Sequence, residues 1–338
     1  IALADGTTLD ASALGYPEES GSGAGDSPDA TSSCTSYPSY YDASGSGGGH
    51  GGQGGAGGYV FNSYCFSNDY PPGGSAYGDP LEPWTYGSGG GKCFYDSSTA
   101  RVGFGGSGGG RIRLVAGGAI TLGENVLLNA AGEAGATCSS PAGGGGGSGG
   151  SIQLRASDLA LSSTVVINVD GGAGASNAGG GSGGLVAVYA DSLTGPLASP
   201  TAVLTLMSAS GGTSGTLSGS AGTIFMEVGG TDRYLVVSNG AITSAATLYT
   251  PYPAGLHDKN LQLKELLVSE SAHLHAESTM YVHAELILLI GEDSSISSSG
   301  AVLALSAAHL NISSGAVKCT SNLGTIEVSA TGGSISVA

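Results

Sequence analysis

His273, His275 and Glu277 alternate along the chain, so on a strand all three point to one face. That residue set could hold a borderline metal such as zinc. His283 and His309 follow within the next strand-like stretches. No third ligand is pinned by spacing, so no metal is assigned and the two histidines at i, i+2 read first as a polar outer face. Carboxylates are the second chemistry. Asp158, Asp170, Asp191 and Asp232 stand singly at turn-like positions. Cleavage of an acidic glycan needs clustered carboxylates, with an arginine base or bound calcium in lyases. Arginine is confined to Arg101, Arg111, Arg113, Arg155 and Arg233. No enzyme is therefore expected, and no catalytic residue is assigned. A carboxylate cluster assembled across distant segments is the alternative. No cofactor is expected either. Structural calcium is possible through turn carbonyls and acidic side chains, but neither the RTX nonapeptide nor an EF-hand loop is present.

Five cysteines, Cys34, Cys65, Cys93, Cys138 and Cys319, lie in loop-like surroundings and form no C-x-x-C. They suit disulfides in an oxidising compartment. Five is odd, so one thiol is free or bridges to a neighbouring chain. Asn311-Ile312-Ser313 is a sequon and makes Asn311 an N-glycosylation candidate. Together these point to a secreted, extracellular or cell-surface protein. The chain starts at Ile1 rather than Met, which reads as a mature form or a piece of something longer.

The elements that must position these residues follow from composition. Of 338 residues 64 are Gly, and only 10% are charged. The net charge of −17 argues against nucleic acid and anionic membranes as partners. No apolar run approaches the length of a membrane span. Gly costs about 1 kcal/mol per helical position relative to Ala, so short β-strands joined by Gly/Ser turns are expected.

Three zones differ. Residues 1–100 are rich in Tyr, Gly and Cys and read as a loop-like cap or interface. From 101 to 240, Gly/Ser patches alternate with strands. Gly108-Gly109-Gly110-Arg111-Ile112, Ser148-Gly149-Gly150-Ser151-Ile152, Ser182-Gly183-Gly184-Leu185-Val186 and Ser220-Ala221-Gly222-Thr223-Ile224 align, with Ile112, Ile152, Val186 and Ile224 spaced 40, 34 and 38 apart. Each is followed by a second strand: 126–129, 165–169, 203–206 and 235–237. From 241 to 338 the glycines thin while strands continue, and Glu265-Leu266-Leu267-Val268 recurs as Glu285-Leu286-Ile287-Leu288, a shift of 20. Such a one-dimensional rhythm predicts a solenoid, here a right-handed parallel β-helix. A β-sandwich is the alternative, but it does not call for aligned Gly patches. The Gly runs at 143–147 and 179–184 admit two readings. They are flexible projecting loops, or they let stacked backbones pair directly.

The Gly run leading into Ser151-Ile152-Gln153-Leu154-Arg155-Ala156, with a second strand ending in Asn168-Val169-Asp170-Gly171-Gly172, resembles the glycine-rich β-helix repeats of large protist and bacterial surface proteins. The stretch from Ala221 to Gly230, followed by Leu235-Val236-Val237-Ser238-Asn239-Gly240, is similar to the segment closing such arrays. The resemblance covers about 100–338. It implies a role in cell coats, adhesion or extracellular filaments, including the tubular flagellar hairs (mastigonemes) of stramenopile algae. The expected function is a structural subunit of a filament or coat, partnered by copies of itself, by other coat proteins or by glycans. A carbohydrate-binding or carbohydrate-cleaving β-helix is the runner-up. Ice binding is third, and the isolated Thr205, Thr223 and Thr243 form no ladder for it.

Overall fold

A computed structural model describes residues 1–28, 42–60, 71–95, 104–139, 142–194, 206–214, 217–240, 242, 248–253, 262–291, 293–300, 302–313, 315–319, 325–330 and 335–337. The elements described are all β-strands. In chain order the first are β1 (Ala2–Leu3), β2 (Thr8–Asp10), β3 (Asp42–Ala43), β4 (Tyr59–Val60) and β5 (Phe94–Tyr95). Next come β6 (Arg111–Val115), β7 (Ala119–Leu122), β8 (Leu127–Asn129), β9 (Thr137–Ser139) and β10 (Ala142–Gly143). The middle of the chain supplies β11 (Ser151–Leu161), β12 (Val166–Asn168), β13 (Leu185–Thr194), β14 (Met207–Ser208), β15 (Thr223–Val228) and β16 (Asp232–Ser238). The last are β17 (Thr250–Pro251), β18 (Leu263–Ser269), β19 (His273–Ala276), β20 (Met280–Ile290), β21 (Ser295–Ser298), β22 (Val302–Ser313), β23 (Ala316–Cys319), β24 (Thr325–Ala330) and β25 (Ile335–Val337).

A twelve-stranded sheet runs β1-β7-β11-β13-β15-β16-β18-β20-β22-β24, with β6 beside β11 and β25 beside β22. All its pairings are parallel except β15–β16. The aligned residues of the repeat meet in register: Ile152 lies between Ile112 and Val186, and Val186 faces Ile224. One four-stranded parallel sheet holds β2, β8, β12 and β14, and another holds β17, β19, β21 and β23. In the middle of the chain each repeat therefore visits the large sheet, then the first small sheet, then a glycine segment.

Alternation decides what is buried. In β7 the burial pattern is strictly in–out, with Ile120 and Leu122 inside. They join Leu128, Ile152, Leu154, Ile167, Val186 and Met207 in one apolar core. A second core collects Leu266, Leu274, Ile287, Ile296 and Leu303.

Three local expectations are corrected. The strand at 235–237 is part of β16, which pairs antiparallel with β15 and does not continue the series of second strands. Gly229 and Gly230, at φ +60° and +71°, reverse the chain there, a conformation glycine adopts without steric cost. The third second-strand lies at Met207–Ser208, just downstream of the expected 203–206, of which 203–205 fall outside the described residues. The shift between β18 and β20 is 21 residues, placing Glu265 beside Leu286 and Leu266 beside Ile287. A one-residue slip would flip every side chain to the other face, and this register keeps the fully buried Leu266 and Ile287 together.

Candidate functional site

The glycine segments pack against one another as a bundle, with their amides bonded across neighbouring segments. In residues 144–150 the N–H donors cycle through three neighbours. Gly144, Gly147 and Gly150 donate to Ala136, Glu133 and Ala130; Gly145 and Ser148 to Gly91 and Ser88; Gly146 and Gly149 to Gly179 and Ser182. Donors enter the carbonyls of residues 143–148 from three more: Gly45 and Gly48, Gly106 and Gly109, and Gly172 and Ala175. The segment is thus surrounded by six others. A partner that changes with a period of three is the signature of the three-residue turn of the polyproline II conformation, which has no internal hydrogen bonds. Residues 44–49 and 179–184 repeat the pattern with their own neighbours. Of the two readings of the Gly runs, direct backbone pairing holds, because the runs are buried rather than projecting.

Glycine is required by the spacing. A Cβ at Gly145 would run into the carbonyl oxygen of Ser46, at Gly146 into that of Gly172, and at Gly149 into that of Val169. Buried backbone groups must find partners, and here they find them in adjacent segments instead of in a strand ladder.

Serines punctuate the array. Ser148, Ser182 and Ser220 each precede their aligned apolar residue by four positions and are buried. Ser148 Oγ accepts from Ser88 N at 2.8 Å, Ser182 Oγ from His50 N at 2.9 Å, and Ser220 Oγ from Gln53 N at 2.6 Å. His50 is fully buried among these segments. Its Nδ1–H donates to Gly149 O at 2.7 Å, which leaves Nε2 to accept from Thr85 Oγ1 at 2.7 Å. Burial pushes the imidazole down to about 4, so it is neutral near pH 7. Neither the serine nodes nor His50 was singled out by motif; the fixed four-residue offset was the available signal.

Cys93 and Cys138 form a disulfide across a separation of 45 residues. Closing such a loop removes about 4 kcal/mol of unfolded-chain entropy in the loop-closure account. Cys319 is a free, half-buried thiol on β23 whose Sγ–H donates to Gly300 O. Cys34 and Cys65 lie outside the described residues.

The remaining expected residues stay apart. His273 Nδ1 and His275 Nδ1 meet Ser295 Oγ and Ser297 Oγ on the neighbouring strand, each at 2.8 Å. Burial lowers both imidazoles below their ordinary range. Glu277 accepts from Tyr249 OH at 3.0 Å. His283 and His309 lie on β20 and β22, beside Ser306 and Leu286. Among the described residues no three His, Cys, Asp or Glu side chains converge as a metal site. Asp158 accepts from Ser192 Oγ, Asp170 from Ser208 Oγ and Ser210 N, and Asp232 pairs with Lys264. Asp191 is exposed on β13. Asn311 sits partly exposed on β22, between β20 and β25.

Two surface features complete the inventory. A groove of about 300 Å³ is lined by Gln53, Tyr249, Tyr252, His275, Glu277 and Ser278 among others. At one end of the large sheet, Ile326 and Val328 on β24 are 45% and 39% exposed, although their register partners Leu303 and Leu305 are buried. Comparison with known protein families, with characterised proteins and with solved structures returned no match.

Proposed function

We propose that the chain is a structural subunit of an extracellular filament or cell-surface coat, built as a right-handed β-helix stiffened on one side by the glycine array. The exposed apolar pair on β24 carries this reading. Ile326 and Val328 continue the inward-facing series of Leu303 and Leu305 with no strand laid over them among the described residues. An uncovered sheet edge is a template for another strand. The opposite edge of the same sheet is formed by β1 and β6. Joining the two would be a head-to-tail contact, and head-to-tail contacts that do not close propagate into filaments. Cys319, on the last described strand of its own sheet, supports the same reading, since its free thiol would lock such a joint by a disulfide. Glycans at Asn311 and the net charge of −17 would keep finished fibres apart. The resemblance to mastigoneme-type and other surface repeat proteins supports the same assignment.

Negative-stain electron microscopy of the unreduced protein tests it. Long regular fibres are expected, shortened by reductant and abolished by Ile326→Lys with Val328→Lys. Dispersed particles under every condition would sink the assembly.

The second reading, carbohydrate binding, is favoured by the groove, where two tyrosines and the Glu277 carboxylate converge. Calorimetric titration of neutral oligosaccharides against Tyr249→Ala checks it, and no heat with the unaltered protein removes it.

A further inference from the structure

The outward face of β6, β11 and β13 is crossed by residues 79–86, pinned at several points. Glu82 accepts from Gln153 Nε2 at 2.9 Å and Arg155 Nη2 at 2.7 Å. Thr85 O accepts from Ser151 Oγ at 2.7 Å, and Leu81 O from Tyr189 OH. Arg111 Nη1 donates to Trp84 O at 2.6 Å. This strap holds Trp84 and Tyr86 on the surface, 45% and 39% exposed. Tyr16, 40% exposed, meets Tyr86 edge-on with ring centres 6.0 Å apart.

Two guanidinium groups sit between these rings. Arg111 and Arg113 alternate on β6 around the buried Ile112, so both point outward. Arg113 lies 4.2 Å from the Trp84 ring centre, and Arg111 lies 5.0 Å from Tyr86 and 5.5 Å from Trp84. Neither arginine forms an ion pair among the described residues, whereas Arg155 on the same face is matched by Glu82. In a chain with 26 acidic and 9 basic residues, two adjacent unmatched arginines run against the average. Each arginine spends one donor locally, Arg111 Nη1 on Trp84 O and Arg113 Nε on Gln153 Oε1 at 2.7 Å, and the rest of each fork lies on the solvent side. Arg adds a rigid planar fork that matches carboxylate and sulfate groups in bidentate fashion.

We propose that Tyr16, Tyr86, Arg111, Trp84 and Arg113 form a binding face for an anionic polysaccharide. The arginines would take its carboxylate or sulfate groups, and the exposed rings would take the apolar faces of its sugar rings. Alternate residues on a strand are about 6.6 Å apart, so the two forks address separate acidic groups of one extended chain. Nucleic acid also stacks on aromatics, so oligothymidylate enters the test as the competing polyanion. This face lies on the side of the sheet, so the inference does not depend on end-to-end assembly.

The test is affinity electrophoresis through gels holding polygalacturonate, dextran sulfate, neutral dextran or oligothymidylate. Retardation by one or both acidic polysaccharides is expected, and their ranking assigns carboxylate or sulfate. Neutral dextran should have no effect. The Arg111→Gln, Arg113→Gln double variant should bind at least tenfold more weakly, with an unchanged circular dichroism spectrum and a cooperative melting transition as the check on folding. Should the variant fail to fold, a salt titration of the unaltered protein decides: binding must weaken as NaCl rises from 50 to 300 mM. No retardation by either acidic polysaccharide, full retardation of a folded double variant, salt-independent binding, or retardation by oligothymidylate alone would each overturn the proposal.

Discussion

The glycine array and the leucine-rich strands of β18–β22 are both buried, and they achieve it by opposite means. Around Leu266, Leu274, Ile287 and Leu303, apolar side chains leave water and the backbone is satisfied along parallel ladders. Around Gly145 and Gly146 there are no side chains to bury, and each amide is handed to a different neighbour in turn. The first region gains about 25 cal/mol per Å² of apolar surface. The second gains about 0.5–1.5 kcal/mol net per hydrogen bond, against the large conformational entropy that each glycine loses. An interior therefore needs satisfied polar groups and close contact, but not hydrocarbon. The leucine core is damaged by removing atoms, and the glycine array by adding them.

Substitutions can press on that contrast. The largest effect is expected for Gly146→Ala. Its methyl meets the backbone of residue 172, which cannot rotate away, so the loss should reach about 4 kcal/mol, beyond ordinary overpacking. The midpoint of urea denaturation reads it, and a loss below about 1 kcal/mol would mean that the segments are not in contact. Leu266→Ala should cost about 3 kcal/mol by the same measure. Amide exchange should then accelerate in β18–β22 while 144–150 stays protected; equal loss of protection in both would merge the two regions into one.

Acid should act on the array through His50. Above pH 6.5 both folded and unfolded imidazoles are neutral, and its contribution is complete. Below that, the unfolded chain takes up a proton that the folded site refuses, so stability falls with pH and levels off near the folded value of about 4. The span corresponds to roughly 3 kcal/mol. His273 and His275 are lowered too, so the informative measurement is the difference between unaltered protein and His50→Gln across pH 5–7. Parallel curves would refute a buried neutral His50. Smaller still is Ser148→Ala, which leaves the buried Ser88 N–H without its hydroxyl acceptor and should cost about 1–2 kcal/mol. Smallest is Gly117→Ala, within about 0.5 kcal/mol of neutral, because nothing lies near the added methyl.

The same contrast explains what could be read from the chain. Ile112, Ile152, Val186 and Ile224 were legible because alternating side chains mark a strand and its spacing marks the next. The β15–β16 hairpin was not, because alternation is the same in parallel and antiparallel strands. The register of β18 on β20 was missed by one residue because two Glu-Leu pairs suggested a match that burial does not support. Within the glycine runs there is no side-chain pattern to read at all. The array emerges only when segments as far apart as 45–48 and 179–182 are brought together. The arginine–aromatic face has the same difficulty, since Tyr16, Trp84 and Arg113 are distant in sequence.

The array's chemistry also sets how the molecule meets cold. Exposing hydrocarbon on unfolding raises the heat capacity by about 0.45 cal/K/mol per Å², whereas exposing polar surface lowers it by about 0.26. Unfolding the six-neighboured glycine bundle uncovers mostly amide, so its share of the heat-capacity change is small or negative. Its stability curve is therefore flat on the cold side, while that of the leucine-rich strands bends down as the hydrophobic term fades. On cooling, the β18–β22 region weakens first and the glycine bundle holds its shape.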